Sequence, residues 1–291
     1  MTLEQHAAGT APPAIPRATP LRERWNRAGK RLHLRSEWRD LLEHRDLIRS
    51  LVHRDLTVRY KRSPLGVLWT LIHPLILMVI FTIIFSTIFR FEMRSFSIYF
   101  LSAFLAWNYF DQTVVQSMAS LEWNGAMMKR IRVPQTVFAI STAIAGMINL
   151  GLSLIPLFII MLVTGSNVPW TIVFLPVAAM IVGAFALGTA FALSALAVFF
   201  VDVREMYRAI SPALMYLTPI IYPLEILPPQ FLWMIKLNPL VYLVQLFRAP
   251  VYYQIIPTGL TILVASLCAA GALVIGWIVF RHLAPRFHSH L

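Results

Sequence analysis

The chain has 291 residues, 58% of them hydrophobic and only 13% charged, with a mean hydropathy of +0.69 and a formal charge of +12. Soluble domains of this size carry roughly 25% charged residues, so the composition excludes an ordinary soluble protein and points to a polytopic membrane protein. The positive charge follows the membrane topology traced below, which argues against nucleic acid as a partner, and the single cysteine, Cys268, excludes an internal disulfide.

Residues 1–35 lack the apolar core of a signal peptide. APPAIPRATP is rich in proline and LRERWNRAGKRLHLR is basic, so a partly disordered cytoplasmic tail is expected. Residues 36–65 read as an amphipathic helix lying in the membrane interface. Leu47, Ile48, Leu51, Val52 and Leu56 share one helical face, while Arg45, Arg49, His53 and Arg54 lie largely on others. Arg54, Arg59, Lys61 and Arg62 then crowd against Ser63-Pro64 at the foot of the first apolar run. Anionic headgroups alone would account for this charge; a docked protein would also account for the tight YKRSPLG turn into the span.

Apolar runs near 66–89, 97–120, 136–164, 171–200, 207–222 and 258–280 are candidate spans. They predict an all-α fold with a six-span domain over 66–280 and a short tail at 281–291. Of the 25 Lys and Arg residues, all but Arg90, Arg94, Lys236 and Arg248 fall on one side of this layout. By the positive-inside rule that side is cytoplasmic and holds both termini.

The second span carries Asn108, Asp111, Gln112 and Gln116 at i, i+3, i+4 and i+8, one polar face. Such a face borders a wet path or a hydrogen-bonded seam, or simply glues helices together. Asp111 is the only acid well inside a span, which raises proton coupling, although no intramembrane basic partner is evident. The loop at 121–135, LEWNGAMMKRIRVPQ, sets Lys129, Arg130 and Arg132 beside Met127, Met128 and Ile131. Mixed apolar and basic faces suit a protein partner; a plain positive-inside loop is the simpler reading.

Small residues form packing ridges on two later spans: Ala184, Gly188 and Ala192 on the fourth, and Ala265, Ala269, Ala272 and Gly276 on the sixth. The fifth is short and punctuated by Pro212, Pro219 and Pro223. Residues 223–255 stay apolar but are broken by Pro228, Pro229, Pro239 and Pro250. Irregular backbone at membrane depth needs protein or a wet cavity around it, so short re-entrant or interfacial helices beside a pore mouth are expected there, with an ordinary external loop as the alternative.

Aromatic residues are the other candidates for a path. Phe81, Phe85 and Phe89 run i, i+4, i+8 on the first span; Tyr99, Phe100, Phe104, Trp107, Tyr109 and Phe110 crowd the second; Tyr216, Tyr222, Trp233, Tyr242, Tyr252 and Tyr253 follow. Sugar rings stack well on such faces, and Trp and Tyr also collect at every membrane interface. Catalysis is not expected, because Glu92 and Glu225 are the only carboxylates on the outer side. Five of the eight histidines lie in the tails and none has metal-ligand spacing. His73, beside Pro74, reads as structural.

RDLTVRYKRSPLGVLWTLIHPL, AFLAWNYF, MMKRIRVP, FFVDVRE, TPIIYPLEILPP and LNPLVYLVQLFR occur in this order over residues 54–248. Together they resemble the ABC-2 type permeases of bacterial polysaccharide exporters, which move O-antigen, capsule and teichoic acid chains. The resemblance implies a bacterial inner-membrane subunit without catalytic or metal sites. It would act as a homodimer with two copies of a cytoplasmic ABC ATPase that holds the ATP and magnesium, with a lipid-linked polysaccharide as cargo. Arg54, Arg59, Lys61, Arg62, Met127, Met128, Lys129, Arg130 and Arg132 would dock the ATPase, 121–135 being the coupling loop. Phe81, Phe85, Phe89, Asn108, Asp111, Gln112, Gln116, Tyr216 and Tyr222 would border the path, with Trp233, Asn238, Pro239 and Tyr242 in an outer gate over 223–255. The chain itself has no Gly-x-x-x-x-Gly-Lys-[Ser/Thr] loop, since Gly29-Lys30 is followed by Arg31. An exporter of a small lipid or drug, or a proton-coupled carrier driven through Asp111, would share much of this pattern. Asp202 and Arg204 are expected to pair with the basic collar or each other, or to stay solvated.

Overall fold

A computed structural model describes residues 43–61, 68–89, 93–125 and 133–289; among them the chain is mostly helical and no strand occurs. The helices are α1 (Arg45–Lys61), α2 (Leu68–Phe89), α3 (Met93–Trp123), α4 (Thr136–Val163), α5 (Leu175–Phe199), α6 (Asp202–Leu217), α7 (Leu232–Leu237), α8 (Pro239–Arg248) and α9 (Gly259–Leu283). Among the described residues three stretches are long and apolar enough to cross a membrane: Thr136–Val163, Trp170–Phe199, which adds a 3-10 turn ahead of α5, and Gly259–Phe287. The sequence reading expects six. The 31-residue α3 is diluted by its polar face, and the 16-residue α6 begins with Asp202, Arg204, Glu205 and Arg208. The fifth run also sits earlier than expected. Pre-proline residues disfavour helical geometry, and Thr218, before Pro219, is extended at φ −97, ψ 127.

The core is built around α3, which packs against α2, α4, α5 and α8. Its aromatic cluster lies inside the protein. Phe100 is fully buried, and Tyr99, Phe104, Trp107, Tyr109 and Phe110 are nearly so. Neither the interface belt nor the path wall considered for these six rings describes them: within one protomer they are core. Phe104 stacks on Phe100 at 5.1 Å between centroids, and Phe81 of α2 tilts against Phe100 at 5.2 Å. Tyr109 fits a slot that glycines open on two neighbours. A Cβ on Gly146 of α4 would come within 2.9 Å of the ring, and one on Gly183 of α5 within 3.1 Å of its hydroxyl. That hydroxyl donates to the Ala143 carbonyl at 3.3 Å.

The small-residue ridges meet where α5 crosses α9. A side chain on Gly188 would collide with the Ala272–Leu273 backbone, and one on Gly276 with the Gly188 backbone. This is the close approach that small residues permit in helix pairs. On α1, Leu51 and Val52 are buried and Arg45, Arg49, His53 and Arg54 are exposed. The helix lies on α4, so protein covers part of the apolar face that the sequence assigns to the membrane interface.

Candidate functional site

Polar contacts tie the chain together at three levels along α3. At the end of α3, Arg54 of α1 donates to the Asn124 carboxamide oxygen at 2.8 Å and to Asp55 at 3.0 Å. Asn124 is buried and donates in turn to the Ser120 carbonyl at 2.6 Å. The guanidinium of Arg204, near the start of α6, pairs with Glu122 on α3 and lies 3.6 Å from Glu205. Among the described residues Arg204 therefore pairs with Glu122 and approaches Glu205 rather than joining Asp202. α3 continues to Trp123, so Glu122 belongs to the helix rather than to the loop expected at 121–135. Arg62, Met127, Met128, Lys129, Arg130 and Arg132 lie outside the described residues, as do the side chains of Arg59 and Lys61.

Midway along α3 the polar stripe divides in two. Gln116 donates to Gln112 at 3.0 Å and Gln112 to Asn108 at 3.5 Å, a half-buried ladder along one edge of the helix. Asp111 turns instead to α6, where it accepts from the Tyr207 hydroxyl at 3.1 Å and from Ser211. Sequence reading found Asp111 but not its partners, which lie about 100 residues further along the chain. Their only signal is that Arg204, Tyr207 and Ser211 recur at i, i+3, i+7 on one helical face.

At the far end of α6 the non-helical turn 218–222 is held by a cluster of side chains. Thr218 is fully buried and accepts from the Asn238 carboxamide at 3.1 Å. Asn238 also caps α8, accepting from the Leu240 amide at 3.0 Å, with Pro239 in the first helical position where its missing N–H costs nothing. Arg248, at the other end of α8, is 1% exposed. It donates to the carbonyls of Pro219 at 2.6 Å and Ile220 at 2.9 Å, with its guanidinium 3.8 Å above the Tyr99 ring. The Tyr99 hydroxyl completes the cluster by donating to the Tyr222 carbonyl at 3.0 Å. The charge count assigns Arg248 to the outer side of the membrane, and its side chain is buried within the protein.

Of the expected gate residues, Asn238 and Pro239 belong to this cluster. Tyr242 is half-buried and donates to the Lys236 carbonyl at 3.0 Å, while Trp233 is 67% exposed. Of the expected path residues, Tyr216 is exposed and accepts through its carbonyl from the Tyr222 hydroxyl at 2.8 Å. Phe81 is half-buried, and the side chains of Phe85 and Phe89 lie outside the described residues. Among the described residues no three His, Cys, Asp or Glu side chains gather as a metal site would require.

The pattern that defines ABC-2 type transporters matches residues 46–252, from the first turn of α1 to the residues just after α8. The chain belongs to the ABC-2 type transporter family. Curated relatives of this ABC-2 chain are named for polysaccharide or O-antigen export. It is 28% identical over 221 residues to the O-antigen export system permease protein RfbA of Myxococcus xanthus, covering 75% of this chain and 85% of the relative. A protein of the same name from Klebsiella pneumoniae is 28% identical over 211 residues, 70% of this chain and 79% of the relative. The capsule polysaccharide export inner-membrane protein CtrC of Neisseria meningitidis is 25% identical over 228 residues, 76% of this chain and 84% of the relative. In each case the similarity covers most of both proteins, so the shared region is the body of the permease.

Proposed function

We propose that this chain is the membrane subunit of an ATP-driven exporter that moves a lipid-linked polysaccharide, of the O-antigen or capsule type, out through the bacterial inner membrane. One observation carries the reading: the ABC-2 match over 46–252 coincides with relatives whose names specify O-antigen or capsule polysaccharide export. ATP and magnesium would be held by a separate cytoplasmic ATPase. Two copies of that subunit would serve a homodimer of this chain, whose six spans leave both termini in the cytoplasm.

The coupling surface would comprise Arg54, Arg59, Lys61, Arg62, Met127, Met128, Lys129, Arg130 and Arg132, the last five in the coupling loop expected at 121–135. Arg54 bonds Asn124, just ahead of those five, so a push on either element would be felt by α1 and α3 together. The path would run between protomers. Several side chains of α6, Met206, Ile210, Tyr216 and Leu217, are exposed in the single chain and available to it. Tyr216, Tyr222 and Trp233 would offer ring faces to the sugars.

Charge reversal of Lys129, Arg130 and Arg132 together tests the coupling surface. The triple variant is expected to reach the membrane at the normal level but to lose ATPase co-purification and export. Normal co-purification with normal export would move the docking surface elsewhere. Membrane level, pull-down of the ATPase and surface polysaccharide are read from the same cells.

A further inference from the structure

We infer that α6 is positioned and moved by a stripe of polar side chains along one of its faces, with Glu122 and Asp111 of α3 as the positioning residues. The inference rests on the exporter reading and concerns how motion crosses the membrane domain. Arg204, Tyr207 and Ser211 follow one another at i, i+3 and i+7, a spacing that returns to the same face of α6, and Thr218 stands just past its end. Each has a partner on a neighbouring element: Arg204 pairs with Glu122, Tyr207 and Ser211 bond Asp111, and Thr218 accepts from Asn238. On α3 the two acids stand eleven residues apart, three helical turns, and so face the same way.

Apolar contacts also seat this helix, since Val203, Leu214 and Met215 pack partly buried against the core. Its buried side chains are Tyr207 and Ser211 alone, whereas its large apolar side chains at Met206, Ile210, Tyr216 and Leu217 are exposed. Inside a bilayer apolar contact gives helices no hydrophobic drive to associate, and hydrogen bonds and close packing set their relative position. The polar bonds to Glu122 and Asp111 therefore fix where α6 sits along α3. Arg204–Glu122 leaves Glu122 58% and Arg204 24% exposed. A pair that open to solvent adds little to stability; its consequence is positional. Glu122 lies two residues before Asn124, the acceptor of Arg54, and shortly before the 126–132 loop. α3 is 31 residues, about 46 Å at 1.5 Å per residue. A displacement of its cytoplasmic end is delivered to α6 first at Arg204 and then, three turns along, at Tyr207 and Ser211.

The test is a charge swap in a strain whose own permease has been deleted. Glu122→Arg, Arg204→Glu and the double variant are compared with the starting chain for membrane level, surface polysaccharide and ATP hydrolysis by the purified complex. Each single variant is expected at the normal membrane level with export per ATP hydrolysed lowered about tenfold, a typical coupling between contacting residues. The double variant should recover to within about twofold. Single variants that export normally overturn the inference, and so does a swap that fails to rescue. Single variants that fail to accumulate also overturn it, because they would make the pair an element of stability. If the unmodified chain restores no export, the exporter reading fails instead.

Discussion

Replacing Arg248 with Leu is expected to lower the stability of the purified permease by about 2–6 kcal/mol, from two buried carbonyls left without a donor at about 1–3 kcal/mol each, and to abolish export. The guanidinium is 1% exposed and holds the Pro219 and Ile220 carbonyls at 2.6 and 2.9 Å. Hydrogen bonds from a charged donor contribute about 1.5–3 kcal/mol each, and a carbonyl left buried without a donor costs about 1–3 kcal/mol. Stacking on Tyr99 adds about 2 kcal/mol where water is excluded. Leu fills much of the volume but supplies no donor, so the 218–222 turn loses both guanidinium bonds and keeps those of Thr218 to Asn238 and Tyr222 to Tyr99. Arg248→Lys should fall between the two, because an ammonium keeps the charge but lacks the planar fork that reaches two carbonyls and lies flat on a ring. Thermal unfolding of the three proteins in one detergent gives the order Arg, Lys, Leu; an unchanged midpoint for Leu would show that the buried guanidinium holds nothing.

Substituting Leu at Gly276 should be more damaging still, preventing accumulation of the folded chain. The obstacle is backbone: a Cβ at Gly276 meets the Gly188 peptide, and one at Gly188 meets Ala272–Leu273. Overpacking that displaces side chains costs about 1–3 kcal/mol, and more where the neighbour cannot yield. Even Gly276→Ala and Gly188→Ala must push α5 and α9 apart. Gly271→Ala supplies the contrast within α9, because a Cβ there meets nothing within 4 Å. Ala is favoured over Gly in a helix by about 1 kcal/mol, so Gly271→Ala should be neutral or slightly stabilising. Membrane levels and melting midpoints of these variants check the ordering. Equal behaviour of Gly271→Ala and Gly276→Ala would show that α5 and α9 do not approach as closely as described.

The two ridges behind that prediction were legible because small residues at i, i+4 spacing carry their meaning locally. So were the polar faces of α1 and α3, which depend only on helical period. What the sequence hid are pairings set by tertiary structure. Asp111 is conspicuous as an acid in an apolar run, yet Tyr207 and Ser211 are ordinary residues until α6 is laid against α3. Arg248 shows a related limit: charge counting assigns cations to sides of a membrane and cannot tell that this one is stored inside the protein. The rings of α3 illustrate a third limit. Phe100, Phe104 and Tyr109 satisfy the composition of a belt, a path or a core equally well, and glycines on α4 and α5 decide for core at Tyr109. Proline chemistry explains the early end of α6, since Pro219 constrains Thr218, but the polar first turns of α6 were read as loop.

The central claim is that this chain moves a lipid-linked polysaccharide with energy from a separate ATPase. Its most direct test is the ATP hydrolysis of the chain co-purified with an ABC ATPase of its own host, in lipid nanodiscs, with and without a lipid-linked polysaccharide. The account predicts a stable complex whose hydrolysis rises when that polymer is added. A stable complex indifferent to the polymer would contradict the cargo, and failure of any ATPase to bind would contradict the exporter.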